Sequence, residues 1–198
     1  MTRIEEGYLV FEFSEKWQVF KLDEHPDYRE KIGKIDETKA VDFVGIFNNE
    51  TLYFIEIKDF RGYRIENKER LLKSQLPSCQ LVNGECQFDK GSLSLPIELA
   101  QKVRDSIACI IASCRTSSEP KDWFPYANLL CQKKREIKVV LWLEQDLPPF
   151  PLLRKKARAS INTKIFKQKL RWLTSKVLVC SCDKQGLPDV KVSNLCRS

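Results

Sequence analysis

AVDFVGIFNNETLYFIEIKDF, residues 40–60, is the segment with the clearest strand pattern in the chain. It holds two runs of β-branched and aromatic residues on either side of a short polar segment, residues 48–50. Such runs favour β-strands, and a short polar connection between them is typical of a hairpin. A three-residue turn pairs Phe47 with Thr51, so the numbers of paired residues are predicted to sum to 98.

This hairpin also gathers ionisable residues. The pairing rule puts Asp42 opposite Glu56, and Lys58, two residues further along the same strand, shares a face with Glu56. Two like charges facing each other across a ladder are destabilising, so fold stability alone gives no reason for the pair. A charged residue at the end of an apolar run also needs compensation. The alternative is that Asp42, Glu56 and Lys58 are ordinary solvent-exposed charges at the ends of strands.

A divalent cation would supply the compensation. Carboxylate oxygens of Asp42 and Glu56, completed by water and a backbone carbonyl such as that of Ile57, suit Mg²⁺ or Mn²⁺. Lys58 would then place a positive charge where a pentacovalent phosphate develops its extra negative charge. These residues are the candidate catalytic and metal-binding set.

The remainder of the chain predicts a single α/β domain over residues 1–198. A polar insertion is expected at residues 61–95, with a small hairpin around Asn83-Gly84. A long helix is predicted from Pro96, where apolar residues recur at helical spacing up to Cys114. Strands are predicted at Tyr8 to Phe13, Trp17 to Leu22, Ile137 to Leu143, Val177 to Cys180 and Val190 to Val192, and a short helix from Pro26 to Gly33.

Charge is unevenly distributed along the chain. The formal net charge is +7, and no acidic residue occurs between Asp146 and Asp183, where nine lysines and arginines lie. Apolar residues recur there at near-helical spacing, so a basic amphipathic helix is predicted. Its basic residues suggest a polyanionic partner, and the alternative is that they form an ordinary solvent-exposed helix face. The residues expected to contact the phosphates of a nucleic acid are Lys155, Arg158, Lys164, Lys167 and Arg171.

The cysteines and the apolar segments bear on location. The eight cysteines form no CxxC pair, and a chain of 198 residues can build a core without disulfides, so we expect reduced thiols. Cys180 and Cys182, with Cys79, Cys86 or His25, could in principle hold zinc, although the usual metal spacings are lacking. No signal-like start or membrane-length apolar run occurs, so a cytoplasmic protein without a membrane partner is expected.

An Asp, a hairpin turn and Glu-x-Lys within apolar strands resemble the PD-(D/E)XK nuclease superfamily, which has the restriction-endonuclease-like fold. The resemblance implies a central mixed β-sheet flanked by helices, with Asp42 and Glu56 holding Mg²⁺ and Lys58 positioning or activating the attacking water. It also implies a metal-dependent endonuclease acting on DNA, and a homodimer.

The family usually carries a further carboxylate on an N-terminal helix, for which this chain offers Glu24 or Glu30. Gln101 lies on the helix that follows the hairpin, outside the core set. RNA stays open as a substrate. The alternative to an enzyme is a catalytically inactive module of the same fold that binds nucleic acid or a protein partner.

Overall fold

The computed structural model describes residues 1–62, 79–82, 85–88, 94–146 and 163–195. Four α-helices lie in these ranges: α1 (Pro26–Glu30), α2 (Leu95–Thr116), α3 (Phe124–Cys131) and α4 (Thr163–Leu170). The strands there are β1 (Thr2–Glu6), β2 (Leu9–Phe13), β3 (Trp17–Lys21), β4 (Phe43–Phe47), β5 (Thr51–Asp59), β6 (Cys79–Val82), β7 (Glu85–Phe88), β8 (Glu136–Glu144), β9 (Val177–Cys180) and β10 (Val190–Asn194).

The centre of the fold is a five-stranded mixed sheet in the order β3-β4-β5-β8-β9. Strands β3, β4 and β5 pair antiparallel, whereas β8 runs parallel to both β5 and β9. Parallel neighbours need a crossover connection, and α2 lies in the connection between β5 and β8. The protein is therefore a mixed α/β fold.

The hairpin of β4 and β5 has the predicted register. Phe47 pairs with Thr51 and Phe43 with Ile55, so the predicted sum of 98 is confirmed. Asn48 and Asn49 both adopt positive φ, at 51° and 55°, which asparagine tolerates better than most residues. The turn residues therefore set the strand pairing that the site depends on.

The two faces of the central sheet pack against different layers. Leu52 and Phe54 of β5 join a core cluster with the helices, whereas Tyr53 and Ile55 pack in a second cluster under the antiparallel sheet β1-β2-β10. Helices cover one face and this small sheet covers the other. Because side chains alternate along a strand, Glu56 and Lys58 fall on the helical side.

Several predicted elements are confirmed and others were missed. Helix α2, strands β8, β9 and β10, and the hairpin of β6 and β7 occur where the sequence predicts them. Strand β1 and helix α3 were not predicted. Most of the expected insertion at 61–95 lies outside the described residues, as does the part of the basic stretch at 147–162. None of the described helices is long and apolar enough to span a membrane.

Candidate active site

Asp42 and Glu56 converge on one ammonium group. Lys102 Nζ lies 2.7 Å from Glu56 Oε1 and 3.6 Å from Asp42 Oδ1. Asp42 is 8% exposed and Glu56 only 1%, so both acids are removed from bulk water. The structure thus brings together the two carboxylates that the hairpin register predicts to be opposed, and it adds a lysine from α2 between them.

Three hydrogen bonds hold Asp42 and the residue before it in place. Its Oδ2 accepts a hydrogen bond of 2.6 Å from the amide of Ile57, and its carbonyl accepts one of 2.9 Å from the amide of Leu22. The preceding residue, Val41, donates its amide to Ser106 Oγ of α2 at 3.0 Å. With Oδ2 engaged by Ile57, Oδ1 is the oxygen that faces Lys102.

Lys58 lies between two acids at the end of β5. Its Nζ is 3.0 Å from Glu56 Oε1 and 2.8 Å from Glu98 Oε1. Burial opposes its charge, but Glu56 and Glu98 outweigh that effect and hold the pKa of Lys58 above its ordinary value. Lys58 is therefore a cation at the working pH, fixed in position by the two carboxylates.

Glu98 and Lys102 are site residues that the sequence analysis missed. They are four positions apart near the start of α2, so they lie one above the other on the same helix face. The available signal was a Glu-x-x-x-Lys pair in the first turns of a helix whose neighbouring positions are apolar. Gln101 faces a different side and lines a groove with Arg104 and Trp172, away from the carboxylates.

Burial shifts the protonation of both acids. Desolvation, followed by the nearby charge of Asp42, raises the pKa of Glu56 to about 7, although Lys102 and Lys58 pull it downward. Desolvation likewise raises the pKa of Asp42, against the lowering effects of Lys102 and the Ile57 amide. Carboxylates whose pKa is raised by burial are typical of functional sites, and also of buried ion-pair networks.

The N-terminal acids are arranged differently from the prediction. Glu24 is exposed and pairs with Lys21, and Glu30 is exposed on α1. Two partly buried acids, Asp23 and Glu6, interact electrostatically with Asp42. The charge of Glu6 helps to raise the pKa of Asp42. Burial, followed by the charges of Asp42 and Glu6, raises the pKa of Asp23. Strand β1 supplies Glu6, which is also 2.8 Å from Lys21.

The donors that this site offers are carboxylate oxygens, the ligand type that hard divalent cations prefer. Glu56 Oε1 is buried, and the groups that approach it are the ammonium groups of Lys102 and Lys58. In the described part of the chain, no group of three or more His, Cys, Asp or Glu side chains could hold a metal ion. Two carboxylates remain compatible with Mg²⁺, because it keeps several waters and commonly takes only one or two carboxylates.

The other predicted sites have mixed outcomes. Lys164 and Lys167 on α4 are exposed, as is Arg171 just after it, whereas Lys155 and Arg158 lie outside the described residues.

His25 caps α1 through Nδ1, which accepts a hydrogen bond from the amide of Asp27. Five cysteines are free thiols in the described ranges, including buried Cys180 and half-buried Cys182, and neither belongs to a metal-binding group there.

The chain is similar in part to a known protein. No protein-family model and no solved structure matches the chain. A cysteine–tRNA ligase from Neisseria meningitidis is 28% identical over 167 residues, which cover 73% of this chain. The chain spans only 21% of the length of that ligase. This similarity leaves the family of the chain open.

Proposed function

We propose that the protein is a metal-dependent endonuclease of the PD-(D/E)XK type that hydrolyses phosphodiester bonds, with DNA as the substrate. The observation that carries the proposal is the convergence of Asp42 Oδ1 and Glu56 Oε1 on one cationic centre, with Lys58 beside them. The mixed sheet with α2 against its carboxylate-bearing end supports a restriction-endonuclease-like fold.

Each side chain has a role in this proposal. Asp42 and Glu56 would hold Mg²⁺ or Mn²⁺, aided by the carbonyl of Ile57, and the ion would supply a polarised water and charge neutralisation at the phosphate. Lys58 stabilises negative charge that develops on the phosphate, because a preorganised cation in a poorly solvated site costs no reorganisation during the reaction. Glu98 orients Lys58 by accepting its hydrogen bond at 2.8 Å.

Lys102 has a distinct role because it contacts both carboxylates. Its ammonium compensates two buried negative charges that would otherwise be costly. A divalent cation has to compete with this ammonium for the same oxygens. We therefore propose that Lys102 keeps the two acids assembled before the metal binds, and that it weakens metal affinity.

The test is a cleavage assay on supercoiled, linear and branched DNA, with and without Mg²⁺ or Mn²⁺. The proposal expects metal-dependent cleavage that Asp42→Asn and Glu56→Gln abolish, since each removes one ligand charge while keeping side-chain size. The matched control is Asp189→Asn. This substitution changes an exposed acid that pairs with Lys16 and does not belong to the candidate site. Cleavage that persists in both site variants would refute the assignment.

A second candidate is a module of the same fold that binds nucleic acid or a protein partner without catalysis. The observation in its favour is that Lys58 and Lys102 already neutralise the carboxylates within the protein. The name of the cysteine–tRNA ligase, of which one fifth resembles this chain, adds RNA to the candidate substrates. A metal titration separates the two: stabilisation by Mg²⁺ or Mn²⁺ that Asp42→Asn removes supports the enzyme, and no metal effect supports the module.

A further inference from the structure

An exposed tryptophan lies at the end of the basic helix. Trp172 lies two residues after the end of α4 and is 56% exposed, whereas Trp17, Trp123 and Trp142 are at most 5% exposed. An indole ring in water leaves a large apolar surface unburied, and in this sequence it is flanked by Arg171 and close to Lys169. The ring is available to an incoming ligand.

Trp172 forms one wall of a shallow groove between α2 and α4. Ile97 and Ala100 of α2 supply an apolar surface, and Gln101 supplies an amide with both donors and acceptors. Arg104 and Lys169 provide two cations, and none of the described residues that line the groove is acidic. Arg104 bonds through Nε to Asp105, but its side chain is 64% exposed.

These features together match one ligand chemistry. A flat aromatic surface receives a nucleobase, a neighbouring amide can meet the polar edge of that base, and flanking cations attract the phosphates on either side of it. A protein partner with an acidic, aromatic segment would meet the cations but would not need the flat indole. The combination of stacking surface, amide and cations, with no acid among the described lining residues, is better suited to an unpaired nucleotide.

We propose that the groove around Trp172 binds an unpaired base of a nucleic-acid strand by stacking on the indole, with Lys169 and Arg104 contacting the adjacent phosphates. This inference rests on the proposed function for its choice of ligand, and it narrows the substrate to one that carries a single-stranded or splayed-out nucleotide. Glu98 and Lys102 occupy another face of the same helix α2, so a bound strand would run along the helix that also bears site residues.

Tryptophan fluorescence tests the inference directly, because Trp172 is the exposed one of the four. The protein is titrated with oligothymidylate, with oligouridylate and with an abasic oligomer of the same length and charge. Stacking predicts quenching by the base-bearing strands, little quenching by the abasic strand, and loss of the quenching response in Trp172→Ala. Quenching by either base-bearing strand supports the proposal, whichever of the two sugars the strand carries.

Binding of end-labelled oligonucleotides gives the size of the effect. Trp172→Ala is expected to weaken binding about tenfold, the scale of losing one stacked base, and Trp172→Phe to recover most of it. Phe124→Ala, which truncates an aromatic residue of similar exposure on α3, is the matched control and should bind as the wild type does. Equal quenching by the abasic strand, or wild-type binding by Trp172→Ala, would overturn the inference.

The failure of this inference can be told apart from the failure of the proposed function. Quenching by bases without any metal-dependent cleavage would refute the nuclease and keep the stacking site. Metal-dependent cleavage with unaltered binding in Trp172→Ala would keep the nuclease and refute the stacking site. An absence of quenching by every oligonucleotide would refute the site as well and leave the groove to a protein partner.

Discussion

Replacing Lys102 by methionine is the sharpest test of the carboxylate pair. The substitution keeps a long apolar side chain but removes the ammonium that lies 2.7 Å from Glu56 and 3.6 Å from Asp42. Two buried acids then lose their shared counter-charge. If the pair is a metal site, Mg²⁺ or Mn²⁺ should replace the missing charge, and the variant should gain more stability from the metal than the wild type does.

The expected magnitude follows from the contacts that remain. Removing one partner of a buried ion pair costs about 3–5 kcal/mol. Lys58 still lies 3.0 Å from Glu56, so we expect a smaller loss of roughly 2–3 kcal/mol at neutral pH. In a chain of this size each kcal/mol lowers Tm by about 2–4 °C, and a metal at about one hundred times its Kd returns about 2.7 kcal/mol. Saturating metal should therefore restore most of the lost stability.

Thermal melts with increasing Mn²⁺ or Mg²⁺ provide the measurement. Lys133→Met, at an exposed position, is the control for loss of a lysine and should show the small metal response of the wild type. Adding Asp42→Asn to Lys102→Met should remove the enhanced response, because one ligand charge is lost. If Lys102→Met loses stability and metal returns none of it, the network is purely structural and the metal-site reasoning fails.

Three further outcomes follow from the same contacts. Lys58→Ala should reduce turnover by about 10²-fold or more while metal still shifts Tm, and full cleavage activity in this variant would remove Lys58 from the mechanism. The pKa of Glu56 rises from 4.5 to about 7 on folding, so the folded state binds the proton of Glu56 more tightly than the unfolded state does. The stability that this tighter proton binding contributes therefore falls as pH rises from about 4.5 to 7. The decline amounts to at most about 3 kcal/mol, and urea melts of Glu56→Gln should lack it. Identical pH profiles for the wild type and Glu56→Gln would show that Glu56 does not titrate in this range. Changing Lys164, Lys167 and Arg171 together to Glu should weaken nucleic-acid binding and flatten its salt dependence, and unchanged binding would assign these charges to plain solvation.

Local pattern was enough to predict the hairpin that carries the candidate site. The β-branched and aromatic runs, the polar turn and the period of two along a strand are all set by neighbouring residues, so the pairing of Phe47 with Thr51 follows from the chain itself. The same holds for α2, whose apolar positions recur at helical spacing. The common face of Glu56 and Lys58 follows from the alternation of side chains. Asp42 lies one residue before β4, and extending the observed pairing by that one residue brings it opposite Glu56.

Tertiary packing decided which groups complete the site. Lys102 reaches Glu56 across 46 positions of sequence, and Ser106 holds the backbone of Val41 across 65. Such contacts depend on how α2 lies across the sheet and on how the helix is rotated about its own axis. Glu98, Gln101 and Lys102 all lie near the start of this helix, and the helical period alone does not determine which of them faces the carboxylates. Packing likewise decided that the small sheet β1-β2-β10 covers the second face, since an apolar strand face accepts either a helix or another sheet. Local sequence pattern therefore predicts the hairpin and its acids, whereas the compensation of their charge depends on the tertiary fold.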